Sequence, residues 1–206
     1  MPVSGQHWQE VYADRNTSSV DSVLVKGKKY IGYLRSGTYY LRDAQGDTLL
    51  QKKGNYSFAE FNDYNKDGQK DILVHYNGMG PTVLDLFLFV PATGQFREVL
   101  HFSDFPSAET IPSSKFFYSY RKGGCEDMNW DSDLFTIINF TATRMGSIAG
   151  RQCNNRGEKD GIYIYRVRPD KKQLVNLVPT EAIWRYKDAR WGFIKEYWSK
   201  NYQLFQ

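Results

Sequence analysis

The sequence is poor in the residues that most metal and redox chemistry needs. It has two cysteines and three histidines among 206 residues. His7, His75 and His101 lie far along the chain from Cys125 and Cys153, and no CxxC occurs. That argues against a zinc site. No stretch approaches the roughly 20 apolar residues of a membrane-spanning helix. Heptads and a glycine period are both missing, which excludes coiled coil and collagen. No helix-turn-helix, zinc finger or RNP-type motif organises the basic residues for nucleic acid, so no nucleic-acid partner is expected. Catalytic sets are missing too. Gly146-Ser147-Ile148-Ala149-Gly150 has its serine one place too early for a nucleophile elbow. Gly78-Met79-Gly80-Pro81 has neither the Lys-Ser/Thr nor the helix start of a phosphate loop. The expectation is therefore that the chain is not an enzyme.

Aromatic side chains are abundant, at 16% of residues with 15 Tyr and 13 Phe. Such a load excludes disorder, because disordered chains lack groups worth burying. The length allows one domain or two small ones. No break in composition demands a boundary, so the expectation is a single β domain over 1–206. The formal charge of +4 is uneven. Residues 1–103 carry 11 basic and 11 acidic side chains, whereas 104–206 carry 16 and 12. From Ala142 onward there are 13 basic and 6 acidic residues, among them Arg144, Arg151, Arg156, Arg166, Arg168, Lys171 and Lys172. These form either a solvated face or a patch that meets an acidic protein or an anionic polymer.

Strand-like runs dominate. Ser22–Leu34 reads as a hairpin about Lys26-Gly27-Lys28-Lys29, and residues 38–50 as a second about Asp43–Gly46. Asp71–Tyr76, Val83–Val90, the run from Phe96, Phe116–Tyr120, Leu134–Ala142 and Gly161–Val167 supply further strands. Turn residues recur at short intervals, which fits an all-β, mainly antiparallel fold, propeller-like or sandwich. Pro179 and Thr180 open a short C-terminal helix, with strands as the alternative because Gly192 interrupts it. Trp184, Trp191 and Trp198 recur every seven residues. On a helix they would line one stripe, buried as core or exposed as an aromatic binding face.

Cys125 and Cys153 make an even pair. One disulfide would stabilise the fold by about 3–4 kcal/mol in the chain-entropy model, and two unrelated buried thiols are the alternative. Met1–Gly5 shows neither the basic nor the apolar region of a signal peptide. Either the protein is cytosolic or a leader has been removed. The cysteine pair and the loop described next favour a periplasmic or secreted protein, with membrane attachment only through a removed lipid anchor.

One motif carries chemistry. Asp63, Asn65, Asp67, Gly68 and Asp71 stand at positions 1, 3, 5, 6 and 9 of a loop. Oxygens at that spacing face inward when the chain coils around a cation, glycine permits the sharp turn, and Gln69 offers its backbone carbonyl. An all-oxygen cage suits Ca²⁺ better than Mg²⁺, which needs a tighter octahedron. Position 12 is Val74 rather than glutamate, and the flanks read as strands, so this is not an EF-hand. The alternative is a solvated turn that binds no metal.

The stretch resembles the calcium loop of FG-GAP repeats, found in integrin α-chain propellers and VCBS-type bacterial surface proteins. Asp63, Asn65, Asp67, Gly68 and Asp71 match that pattern, and Ile72-Leu73-Val74 matches the strand that follows. About 14 residues are covered. A single loop in this length does not make a propeller ring. The chain is more similar to single-loop bacterial envelope proteins that inhibit lysozyme-like peptidoglycan hydrolases, some of them immunity proteins against secreted toxins. Leu86–Phe96 adds a weaker hairpin similarity. The resemblance implies a Ca²⁺-stabilised binding protein whose partner is a cell-wall hydrolase or toxin. An adhesion or carbohydrate-binding module is the alternative. Glu126, Asp127, Asp131 and Asp133 form an acidic run beside Cys125, read as a solvated loop, a weak cation site or a face for a basic partner.

Overall fold

The computed structural model describes residues 16–153 and 159–206; the expectations placed on Met1–Gly5, His7 and Arg156 lie outside them. Its described part is all-β and mainly antiparallel, with a short helix near the C-terminus. Where the sequence carried no sign of a boundary, contacts gather into two compact units, Met1–Val99 and Leu100–Gln206.

The first unit holds two antiparallel four-stranded meanders. One runs β1 (Thr17–Val25), β2 (Lys28–Arg35), β3 (Thr38–Asp43) and β4 (Thr48–Lys53). The other runs β5 (Tyr56–Asn62), β6 (Asp71–Tyr76), β7 (Leu84–Val90) and β8 (Gln95–Glu98). Alternation along β3 turns Tyr39 and Leu41 inward. They share one core with Tyr30 and Leu34 from β2 and with Ile72, Val74, Phe87 and Phe89 from the second sheet, so the sheets pack face to face as a sandwich. Each such side chain, when fully buried, contributes about 1.5–3 kcal/mol. Ser19 of β1 clasps β5: the Ala59 amide donates to its hydroxyl at 2.8 Å, and the hydroxyl donates back to the Ala59 carbonyl at 3.1 Å.

The second unit is built on one sheet in the order β15-β14-β13-β12-β10-β9, with β11 also pairing to β12. These are β9 (Glu109–Thr110), β10 (Phe116–Tyr118), β11 (Arg121–Lys122), β12 (Trp130–Ile138), β13 (Thr141–Arg151), β14 (Gly161–Arg168) and β15 (Lys171–Val178). Helix α1 (Arg190–Asn201) buries Phe193, Ile194 and Trp198 against Trp130, Leu134, Ile148, Ile162 and Ile164. The Trp198 indole donates to Ser132 Oγ at 2.8 Å, which fixes the helix on that face. A Cβ on Gly150 would come within 2.2 Å of the Trp130 ring, so β13 carries glycine there to admit the indole.

Three expectations change. The single strand over Leu134–Ala142 is two strands joined at Asn139 and Phe140, both left-handed with φ of 50° and 60°. The C-terminal helix does not open at Thr180. A 3-10 turn covers Thr180–Arg185, the chain reverses through Asp188 and Ala189, and α1 starts at Arg190. The tryptophan stripe is thereby broken. Trp198 is fully buried, while Trp184 and Trp191 are 71% and 46% exposed.

Candidate functional site

The Asp63–Asp71 segment joins β5 to β6, the first two strands of their meander. Its acids are held by backbone amides. Asp67 N–H donates to Asp63 Oδ1 at 3.0 Å and to Asn65 Oδ1 at 3.1 Å, and Gly68 N–H donates to Asp63 Oδ2 at 3.1 Å. Gln69 N–H donates to Asp67 Oδ1 at 2.8 Å, and the Asn65 amide group donates to Asp67 Oδ2 at 2.9 Å. Gly68 takes φ of 86°, a conformation a side chain would strain.

Asp71 closes the turn from inside the sheet. It is fully buried. Tyr64 N–H donates to its Oδ2 at 3.1 Å, and Phe89 N–H of β7 donates to Oδ1 at 3.0 Å. Burial pushes the Asp71 carboxyl up to about 6, against the pull of amide bonds from Phe89, Tyr64 and Asn65.

The structure thus brings Asp63, Asn65, Asp67 and Asp71 into one hydrogen-bonded turn, with Gln69 just past its apex. Among the described residues, no group of three or more His, Cys, Asp or Glu side chains is arranged to hold a metal by itself. The donors are all oxygens, the kind a hard cation takes. An ionised carboxylate has about four acceptor positions, and each oxygen of Asp63 accepts one amide here. A cation would be held by Asp63, Asn65, Asp67, Asp71 and the Gln69 carbonyl. It would supply positive charge beside a buried acid.

Cys125 and Cys153 are disulfide-bonded, with Cα atoms 6.2 Å apart. Asn129 supports the bridge: its Oδ1 accepts from the amides of Gln152 and Cys153, and its Nδ2 donates to the Cys153 carbonyl at 3.2 Å.

The acids beside Cys125 are interleaved with cations: Asp131 and Asp133 share one face of β12, and Asp127, Asp131 and Asp133 are each ion-paired. Asp127 pairs with Lys122 at 3.2 Å and Arg190 at 3.5 Å, Asp131 with Arg151 at 2.5 Å, and Asp133 with Arg144 at 2.9 Å. Asp133 is buried, and burial raises its carboxyl above the usual range although Arg144 and Arg121 pull it down. His75 sits on β6 against Glu60, at 3.1 Å, and the Phe58 ring.

Two features had no sequence signal. A cavity of about 680 Å³ in the first unit is lined by the strand residues Tyr30, Asp43 and Phe96 and by Gly94 of a turn, among others. In the second unit, β15 is a sheet edge with Leu174, Val175 and Leu177 exposed at 48%, 41% and 41%. Which strand lies at the edge of a sheet is set by the pairing order, so nothing in the sequence marks this one as uncovered.

No protein-family model and no curated protein matches this chain. Among solved structures, one described as a Xanthomonas Type IV secretion system related protein resembles it at 14% identity and a TM-score of 0.46, over 78% of this chain and 87% of that one. No helix of the described residues is long and apolar enough to cross a membrane.

Proposed function

We propose that this protein is a Ca²⁺-stabilised, periplasmic or secreted binding protein that inhibits a lysozyme-like or other peptidoglycan-degrading enzyme, as an immunity protein does toward a delivered toxin. The observation that carries the binding reading is the β15 edge. Three large apolar side chains are exposed on a strand that lacks a partner on one side among the described residues. Lys171 and Lys172 guard the start of this edge, while its Leu174–Leu177 part is open to another chain, and strand addition is a common mode of protein recognition. The disulfide supports an oxidising compartment. The hydrolase as target, and Ca²⁺ as the ion, rest on the resemblance of the Asp63–Asp71 loop to envelope inhibitors. The metal would keep the loop rigid, lowering the ordering cost of binding, and would take no part in chemistry. On this reading the chain performs no catalytic step.

The test is turbidimetric. Wall hydrolases encoded in the source genome act on purified peptidoglycan with an equimolar amount of the protein, in Ca²⁺ or in chelator. Inhibition of at least one enzyme, weakened in chelator and by Leu177→Lys, supports the reading. Full hydrolase activity throughout overturns it. The exposed Trp184 and Trp191 favour a second reading, a carbohydrate-binding or adhesion module. Glycan-array binding that Trp184→Ala abolishes, with no effect on hydrolases, would establish that one instead.

A further inference from the structure

Strand alternation gives the second unit's sheet a face turned away from α1. Leu134 and Ile148 point into the helix-side core, so their neighbours Asp133 and Ser147 point to the other side. The pairing register sets Asp133, Ser147 and Tyr165 in one row across β12, β13 and β14. Around that row lies a cleft of about 220 Å³, lined by Arg121, Asp131, Asp133, Arg144, Ser147 and Lys172, with Val167 as its apolar wall.

Two observations make the cleft more than a surface dip. The first is Ser147. It is only 6% exposed, and its hydroxyl is buried without a hydrogen-bond partner. Leaving a buried hydroxyl unpaired costs about 1–3 kcal/mol, so a ligand atom that accepts from it recovers that cost. The second is charge. Asp133 is already matched by Arg144 and Asp131 by Arg151. Arg121 donates to the Asp104 carbonyl at 2.9 Å, and Lys172 lies 4.1 Å from the centre of the Tyr165 ring. Neither a carbonyl nor a ring cancels a full positive charge. The cleft therefore presents hydroxyl, guanidinium and ammonium donors with a net positive field.

We propose that this cleft is a receptor for a single carboxylate group carried by a peptide, with Ser147 and Lys172 as its donors and Arg121 adding to the field. A monoanion suits it better than phosphate, because among the described residues of the wall only Arg121 and Lys172 are left without a carboxylate partner, and a second negative charge would lie beside the paired aspartates. The volume lies below the roughly 300–1,000 Å³ of sites for whole small molecules and matches one inserted side chain or chain end. This deepens the protein-binding reading by naming the group that a partner would insert, and it is tested without any hydrolase.

The experiment is a titration of the ¹⁵N-labelled full chain, disulfide intact, followed by amide chemical shifts. Five probes are used: N-acetyl-glutamate methylamide for a side-chain carboxylate, N-acetyl-glycine for a chain terminus, the N-acetyl-glutamine and N-acetyl-lysine methylamides, and inorganic phosphate. Saturable shifts at residues 131–133, 144–147 and 165–172 with either carboxylate probe, and none with the glutamine probe, are expected. The tighter of the two carboxylate probes identifies the source. Lys172→Gln and Ser147→Ala should each weaken binding by about fivefold or more, the worth of one hydrogen bond. Ser147→Ala should leave the thermal midpoint unchanged or raise it, since it deletes a hydroxyl that has no partner. Equal shifts from the glutamine probe, preference for the lysine probe or phosphate, or no saturable shift with either carboxylate overturns the inference. If carboxylates bind and no hydrolase is inhibited, only the hydrolase assignment falls.

Discussion

Asp71 uses both carboxylate oxygens on amides from different elements, Tyr64 in the loop and Phe89 on β7. Asp71→Ala leaves these donors and the Asn65 amide without their acceptor, and buried donors left so cost about 1–3 kcal/mol each. A drop of at least that size in the urea-derived stability of the first unit is expected, together with loss of any Ca²⁺-dependent stabilisation. Unchanged stability would mean that water replaces the carboxylate. Asp133 answers a different question. Its folded-state carboxyl is raised, chiefly by burial, so the folded protein holds the proton more tightly than the unfolded chain, whose aspartates titrate near about 3.9. The stability linked to this proton is fully present below about pH 3.9 and is lost as pH rises through the raised folded value. Urea midpoints of Asp133→Asn should therefore fall less, or rise more, with increasing pH across that window than those of the unsubstituted protein. Parallel curves would remove the assignment.

At the scale of elements, Gly192 shows how packing overrides propensity. Glycine inside a helix costs about 0.8–1.0 kcal/mol relative to alanine, and this is what made the C-terminal helix ambiguous in the sequence. In the structure a Cβ at position 192 would stand 1.9 Å from the Lys187 carbonyl oxygen, because the chain doubles back tightly before α1. The contact is with backbone, which cannot swing aside. Gly192→Ala is expected to lower the thermal midpoint despite its better propensity, whereas a higher midpoint would show that the turn relaxes. The split of Leu134–Ala142 follows a similar logic. Asn139 suits a left-handed turn but Phe140 does not, so the local signal for the reversal is only half present. It is held because Leu100 N–H donates to the Phe140 carbonyl at 2.8 Å and Ala142 N–H to the Leu100 carbonyl at 2.9 Å.

At the scale of the whole molecule, each unit has a large hydrophobic cluster of its own. The candidate Ca²⁺ loop belongs to the first unit and the disulfide to the second. Calorimetry is expected to resolve two transitions with separate sensitivities. Reduction should lower one of them by on the order of 10 °C or more, as about 3–4 kcal/mol of cross-link stabilisation is lost from a unit of this size. Ca²⁺ in hundredfold excess over its dissociation constant should raise the other, since ligand binding at that ratio contributes about 2.7 kcal/mol. A single transition moved by both treatments would mean that the two units unfold as one.

What the sequence determined by itself is local. The oxygens of Asp63, Asn65, Asp67 and Asp71 gather because the bonds that coil the loop span only a few residues, and strand class and most hairpin turns follow from alternation and turn chemistry over similarly short ranges. The pairing of Cys125 with Cys153 was legible because there was no third cysteine. Tertiary structure decided the rest. The acidic run dissolved into ion pairs once Arg144, Arg151 and Arg190 arrived from β13 and α1. The carboxylate cleft draws its wall from β11, β12, β13, β14 and β15, whose shared face depends on register and on a helix covering the opposite side. Ser147 is one polar residue in an ordinary strand until β12 and β14 bury it, so its unpaired hydroxyl exists only in the folded sheet.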